Sequence, residues 1–170
     1  MDKSNRKGAS AELEIRDLLR PWWQQVEPEV VMVRTPASGG WHASATFRTA
    51  GDLMVTPGSK WPWSVEIKRR ESWSPKGFVA GRRSPVWSWW AQATQDALKI
   101  DAQPMLWVRR SNGNWIVLVP RRQVVTIAGA PPPRFNWSDT VVVGERGATL
   151  VPVGYWGDEF LASDPHIWLP

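Results

Sequence analysis

The chain contains no cysteine. That absence excludes disulfide frameworks, thiol nucleophiles and zinc sites built on sulfur. Histidine is almost as scarce, with His42 and His166 only, so a multi-histidine metal centre is excluded as well. No stretch approaches the roughly eighteen consecutive apolar residues of a membrane-spanning helix. The opening MDKSNRKGAS has no apolar signal core. A chain with no membrane partner and a cytoplasmic location is therefore expected. No phosphate-cradling glycine loop of the Walker type, nucleophile elbow or H-E-x-x-H pattern occurs. The 15 prolines and 13 glycines have no period, which excludes collagen-like and low-complexity readings.

What is present fits a globular domain: 170 residues, 42% apolar and 22% charged. Lys and Arg number 21 against 16 acidic residues, for a net charge of +5, and fifteen of the 21 are arginine. The charge is uneven. Residues 1–130 carry nineteen basic and eleven acidic side chains, a net of +8, whereas residues 131–170 carry two and five, a net of −3. The densest run places Arg69, Arg70, Lys76, Arg82 and Arg83 against Glu71 alone. Such a patch attracts polyanions by releasing their counterions, and arginine grips phosphate oxygens with a planar fork.

Ala11, Ile15, Leu18 and Leu19 form the stripe of an amphipathic helix over 9–20, with Pro21 as its stop. Strands are predicted at 30–33, 53–55 and 63–67, the last two joined as a hairpin across Pro57-Gly58. Ser84-Pro85 opens a second helix whose inner stripe is Val86, Trp90, Ala93, Ala97 and Ile100. Strands at 105–108 and 115–119 flank the turn Asn112-Gly113-Asn114. After Pro131-Pro132-Pro133, strands at 141–143 and 149–153 enclose a turn. The expected fold is α/β, a mixed central sheet flanked by helices, with a C-terminal β-hairpin appendage. The division is a core over 1–130 and an accessory segment over 131–170, packed on the same domain.

Four positions carry candidate chemistry: Glu12, Asp52, Glu66 and Lys68. Strand alternation sends Glu66 and Lys68 to one face and Ile67 to the other. A carboxylate and an ammonium turned inward on an apolar strand are costly to desolvate unless they pair or hold a metal. Asp52 beside Glu66 would form an oxygen-ligand site suited to Mg²⁺ or Mn²⁺. Read singly, each residue has a plain alternative. Glu12 can pair with Arg16 one helical turn on, Gly51-Asp52 can be a turn, and acid and base alternate on many exposed strands.

The ordered set Lys7-Gly8, Glu12, Ser38-Gly39-Gly40, Gly51-Asp52 and Glu66-Ile67-Lys68 resembles the PD-(D/E)XK nuclease superfamily. Within it, the set is most similar to the archaeal-type Holliday junction resolvases. The resemblance covers roughly residues 3–120. It implies a restriction-endonuclease-like core, a homodimer with two sites, and Mg²⁺-dependent paired nicking of four-way junctions to leave 5′-phosphate ends. On it, Glu12, Asp52 and Glu66 are expected metal-binding acids, Lys68 the water-positioning base, and Ser38 a loop serine near the scissile phosphate. Lys7, Arg34, Arg69, Arg70, Arg82, Arg83 and Gln92 are expected DNA contacts. The long 38–52 connection and the C-terminal forty residues depart from the family pattern and bear on substrate choice.

The 14 tryptophans divide into two expected groups. Trp89, Trp90, Trp107 and Trp115 fall in predicted elements and are assigned to core or interface. Trp61, Trp63, Trp73 and Trp87 lie near the basic segment, where they are candidates for base stacking or dimer contact. Branched DNA is the expected partner. The rivals are a nuclease of the same core acting on flaps, forks or duplex, and a non-catalytic DNA-binding module.

Overall fold

The structure is a computed structural model that describes residues 3–36, 48–49, 51–121, 133–136 and 151–169. Helix α1 (Lys3–Trp23) leads into β1 (Met32–Arg34), β2 (Arg48–Thr49), β3 (Leu53–Val55) and β4 (Trp63–Arg69). Short α2 (Pro75–Val79) and α3 (Val86–Leu98) precede β5 (Gln103–Arg109) and β6 (Ile116–Pro120). The chain closes with β7 (Phe135–Asn136), β8 (Pro152–Trp156), α4 (Gly157–Leu161) and a 3-10 turn at Pro165–Trp168.

The central sheet has the order β4-β5-β6-β8-β7. β4 and β5 run parallel and the remaining pairs antiparallel, so the sheet is mixed as expected. Strand alternation separates two apolar layers. Trp63, Val65, Ile67, Met105, Trp107, Val117 and Val119 join the stripe of α1 on one face, while Leu106, Val108, Ile116 and Leu118 meet Phe78, Val86 and Trp90 of α2 and α3 on the other. Helices thus flank the sheet on both sides. β8 and α4 belong to the same core, since Val153, Tyr155, Phe160 and Trp168 pack with the α1 layer.

Several local expectations are corrected. Pro21 lies inside α1, which runs on to Trp23. Near a helix end, proline forfeits one backbone bond, and the burial of Trp22 and Trp23 opposes that loss. Leu18 is exposed, and the inner stripe is Ala11, Ile15 and Leu19. The β3–β4 hairpin does not form. β3 pairs antiparallel with β1 and β2, and the residues just before it approach β4 through a parallel bridge between Gly51 and Val65. Strand 141–143 lies outside the described residues, and β8 starts at Pro152, later than expected. The residue at the N-terminal cap of α3 is Pro85 and not Ser84 as expected, although Ser84 Oγ accepts from the Val86 N–H at 3.3 Å.

Trp61, Trp63 and Trp73 are not available for base stacking. Their exposures are 2%, 3% and 6%. Trp63 is the hub of an aromatic cluster, with ring centroids 5.0 Å from Trp61, 5.8 Å from Trp23, 6.0 Å from Trp22 and 5.9 Å from Trp168. Polar indole atoms find partners there: Trp22 Nε1 donates to the Ser163 carbonyl at 2.9 Å and Trp168 Nε1 to Ser163 Oγ at 3.0 Å. No helix among the described residues is long and apolar enough to cross a membrane.

Candidate active site

β4 is an edge strand of the central sheet, and the residues preceding β3 lie along its free side. The approach at Gly51 is close. A Cβ there would stand 2.2 Å from the Val65 carbonyl oxygen, and the backbone has φ +79°, so only glycine fits without distortion. The next residue is held on three sides. Asp52 N–H donates to the Val65 carbonyl at 2.7 Å, its own carbonyl accepts from Thr35 N–H at 2.9 Å, and its Oδ2 accepts from Ile67 N–H at 2.7 Å. The carboxylate stands in for a neighbouring strand's carbonyl on the edge of β4. Thr35 Oγ1 adds a bond to the Gly51 carbonyl at 2.9 Å.

Glu66 projects from β4 away from the α1 layer, is 5% exposed, and forms an ion pair with Lys68 on the same face. Mutual pairing therefore offsets the cost of turning both charges inward. Across the site, Glu12 of α1 accepts from Arg34 Nε at the end of β1. Arg16, the expected helical partner of Glu12, bonds Asp17 instead. Burial first, and then the Glu66 carboxylate, push the Asp52 carboxyl from its ordinary 3.8 up to about 7. The Ile67 N–H opposes that rise, Glu12 adds to it, and Lys68 opposes it. Asp52, Glu66, Lys68 and Glu12 thus share one electrostatic neighbourhood, with Asp52 at its centre.

Among the described residues, no three His, Asp or Glu side chains converge to hold a metal ion. Of the three expected acids, Glu12 is engaged by Arg34. Asp52 and Glu66 remain as two hard oxygen donors. Burial, and then the Glu66 charge, disfavour the ionised Asp52, a cost that a divalent cation would relieve, and Mg²⁺ is commonly held by one or two carboxylates together with waters and a substrate phosphate.

The remaining expected contacts are dispersed. Arg70, Arg82 and Arg83 are exposed, and Gln92 is exposed on α3. Arg69 is half-buried and lies on the opposite face of β4 from Lys68, where its Nη2 approaches the Ser111 carbonyl at 3.5 Å. Ser38, His42 and the side chain of Lys7 lie outside the described residues.

Two supporting groups went unread in the sequence. Thr35 fixes the Gly51-Asp52 backbone, and only its place beside Pro36 hinted at a special conformation. Glu14 clamps α1 to the sheet, accepting from Arg109 Nη2 at 2.5 Å and from Trp115 Nε1 at 3.0 Å. Arg109 also stacks over the Trp115 ring at 4.4 Å. A separation of about a hundred residues leaves no local signal for that clamp.

A family model described as phage putative PDDEXK endonuclease matches residues 3–139, a span that includes Glu12, Asp52, Glu66 and Lys68. No curated protein and no solved structure matches the chain. A match over most of the chain, on a mixed sheet flanked by helices, makes this chain a member of that PDDEXK endonuclease family.

Proposed function

We propose that the protein is a Mg²⁺-dependent DNA endonuclease that acts on branched DNA, with four-way junctions as its preferred substrate. The observation that carries the nuclease reading is the seating of Asp52 on the Ile67 N–H beside the buried Glu66–Lys68 pair. The junction preference rests on the similarity of the motif order to the archaeal-type Holliday junction resolvases.

In this reading Asp52 and Glu66 hold the cation, for which Mn²⁺ can substitute. A bound divalent ion would supply Lewis acidity to the phosphodiester and lower the pKa of a coordinated water. The chain's own residues do the rest. The Ile67 N–H and the Thr35 bonds fix the Asp52 carboxylate before substrate arrives, so little reorganisation is required. Lys68 orients the attacking water, takes part in its deprotonation and offsets charge that builds on phosphorus. Water oxygen bonds to phosphorus, the bond to the 3′-oxygen breaks, and a proton passes to that oxygen. The products are 5′-phosphate and 3′-hydroxyl ends. Arg34 exchanges Glu12 for a phosphate oxygen when DNA binds, which frees Glu12 to approach the cation. Two copies in a symmetric dimer would cut both strands of a junction.

The test is a panel of mobile-armed four-way junction, flap, fork and linear duplex incubated with the protein and Mg²⁺. Symmetric paired nicks in the junction, at rates at least ten times those on linear duplex, are expected. Preferential cutting of flaps or duplex would reassign the substrate. Binding without cutting of any member, in Mg²⁺ or Mn²⁺, would favour a non-catalytic DNA-binding module.

A further inference from the structure

Beyond the carboxylate site, a cleft of about 490 Å³ opens where the chain leaves β4 and where β5 turns into β6. Glu71, Ser74 and Lys76 form one wall, and Arg110, Asn112 and Gly113 the other. The volume is in the range of small-molecule sites. Glu71 ties the walls together, accepting from the Ser111 N–H at 3.2 Å and facing Arg110 Nε at 3.5 Å. Below the first wall, Trp73 is buried against Phe78 and Trp89, and Ser74 Oγ caps α2 by accepting from the Gly77 N–H at 3.1 Å. The cleft is therefore pre-formed and does not depend on two independent loops meeting.

The cleft has a basic balance. Lys76 and Arg110 line it against Glu71 as the one acid of its walls. An anionic ligand that also offers an N–H to Glu71 matches that lining.

Glu71 stands three residues beyond Lys68, at most about 10 Å along the chain. That span is about three base steps of 3.4 Å. A strand held at Lys68 therefore reaches the cleft, whose volume admits one nucleotide and not a duplex. We infer that this cleft receives a single unpaired nucleotide of the DNA strand engaged at the Asp52–Glu66–Lys68 site. Lys76 and Arg110 take its phosphate, and Asn112 and Glu71 face its base. Glu71, the acid in the basic segment, suits an N–H donor on the edge of an unpaired base, the ring N–H of thymine included, and repels a phosphate. The inference rests on the nuclease reading and deepens it. An enzyme that must seat an unpaired nucleotide prefers branch points, flaps and gaps to fully paired DNA.

The experiment uses fluorescein-labelled hexathymidylate and a fully paired duplex, with EDTA present throughout so that nothing is cut. Gly113→Phe fills the cleft without changing its charge. A Cβ at Gly113 meets only ordinary contacts with Arg110, at 3.7 and 3.9 Å, so the fold tolerates a side chain there. Lys76→Ala, at an exposed position, removes a phosphate contact. Each variant is expected to lose about tenfold in hexathymidylate affinity, while duplex affinity falls less than twofold for Gly113→Phe. Wild-type hexathymidylate affinity in both variants would overturn the cleft assignment, whatever the enzyme cuts. Weakened binding in both variants, from a protein that cuts no DNA in Mg²⁺, would keep the cleft and remove the nuclease reading.

Discussion

β4 joins two regions that handle burial in opposite ways. At its start, Trp63 sits among other tryptophans and Phe160, and indole N–H groups nearby end on Ser163. Three residues later the strand carries Glu66, a buried carboxylate kept there by Lys68 and facing an Asp52 whose carboxyl is pushed up to about 7. The first region gains from every contact it makes. The second holds charges that water would solvate better. Rigid aromatic packing at one end of the strand lets the other end tolerate an electrostatic cost, and that cost is the feature a cation or a phosphate can relieve.

The largest effect is expected from breaking the aromatic end. Trp63→Ala removes the hub of the cluster and should cost about 3–5 kcal/mol of stability, read from urea unfolding followed by tryptophan fluorescence. A loss below about 1 kcal/mol would mean that the cluster carries little of the fold.

The polar end should respond in the opposite direction. The folded pKa of Asp52 lies above its ordinary 3.8, so its contribution to stability is present below about pH 4 and is lost as pH rises through about 7. In EDTA at pH 8, Asp52→Asn should therefore be more stable than wild type by on the order of 1–3 kcal/mol, with the difference vanishing near pH 4. The amide oxygen can still accept from the Ile67 N–H. Thermal midpoints of the two proteins across that pH range check the sign, and a destabilised Asn variant at pH 8 would remove the strained-carboxylate account.

The smallest effect concerns neither end. Arg82 and Arg83 are exposed on the connection between β4 and α3. Replacing both with alanine should leave stability within about 0.5 kcal/mol. It should lower the slope of log binding constant against log salt by about two, measured by anisotropy on duplex DNA. An unchanged slope would locate the phosphate footprint elsewhere.

The difference between the two regions also explains what was legible in the sequence. Glu66-Ile67-Lys68 was readable because strand alternation is a local rule, and Ile67 does face the α1 layer while Glu66 and Lys68 face away. Asp52 was placed beside Glu66 for the wrong geometric reason. A hairpin was expected, whereas a parallel bridge at Gly51 makes the approach. That bridge depends on a carbonyl 14 residues away, and no local pattern announces it. Trp61 and Trp63 mislead for a related reason, whereas Trp90, Trp107 and Trp115 are buried as expected. Trp61 and Trp63 lie close to the basic segment in sequence, yet the aromatic layer that buries them comes from residues 22–23 and 160–168. Nearness along the chain says little about the side of the sheet on which a ring is packed. Arg34 and Glu12 were each singled out, but their pairing was not, because nothing local links a helix face to a strand end 22 residues on.

The most direct test of the central claim is cleavage of a four-way junction in Mg²⁺ by wild-type protein, Asp52→Asn and Lys68→Ala, with junction affinity measured in parallel. The account expects wild-type cutting that EDTA abolishes. It expects each variant to lose at least about a thousandfold in rate, on the order of 4 kcal/mol of transition-state stabilisation, while binding stays within a few-fold. Undiminished cutting by both variants would contradict the assignment of Asp52 and Lys68 to the active site.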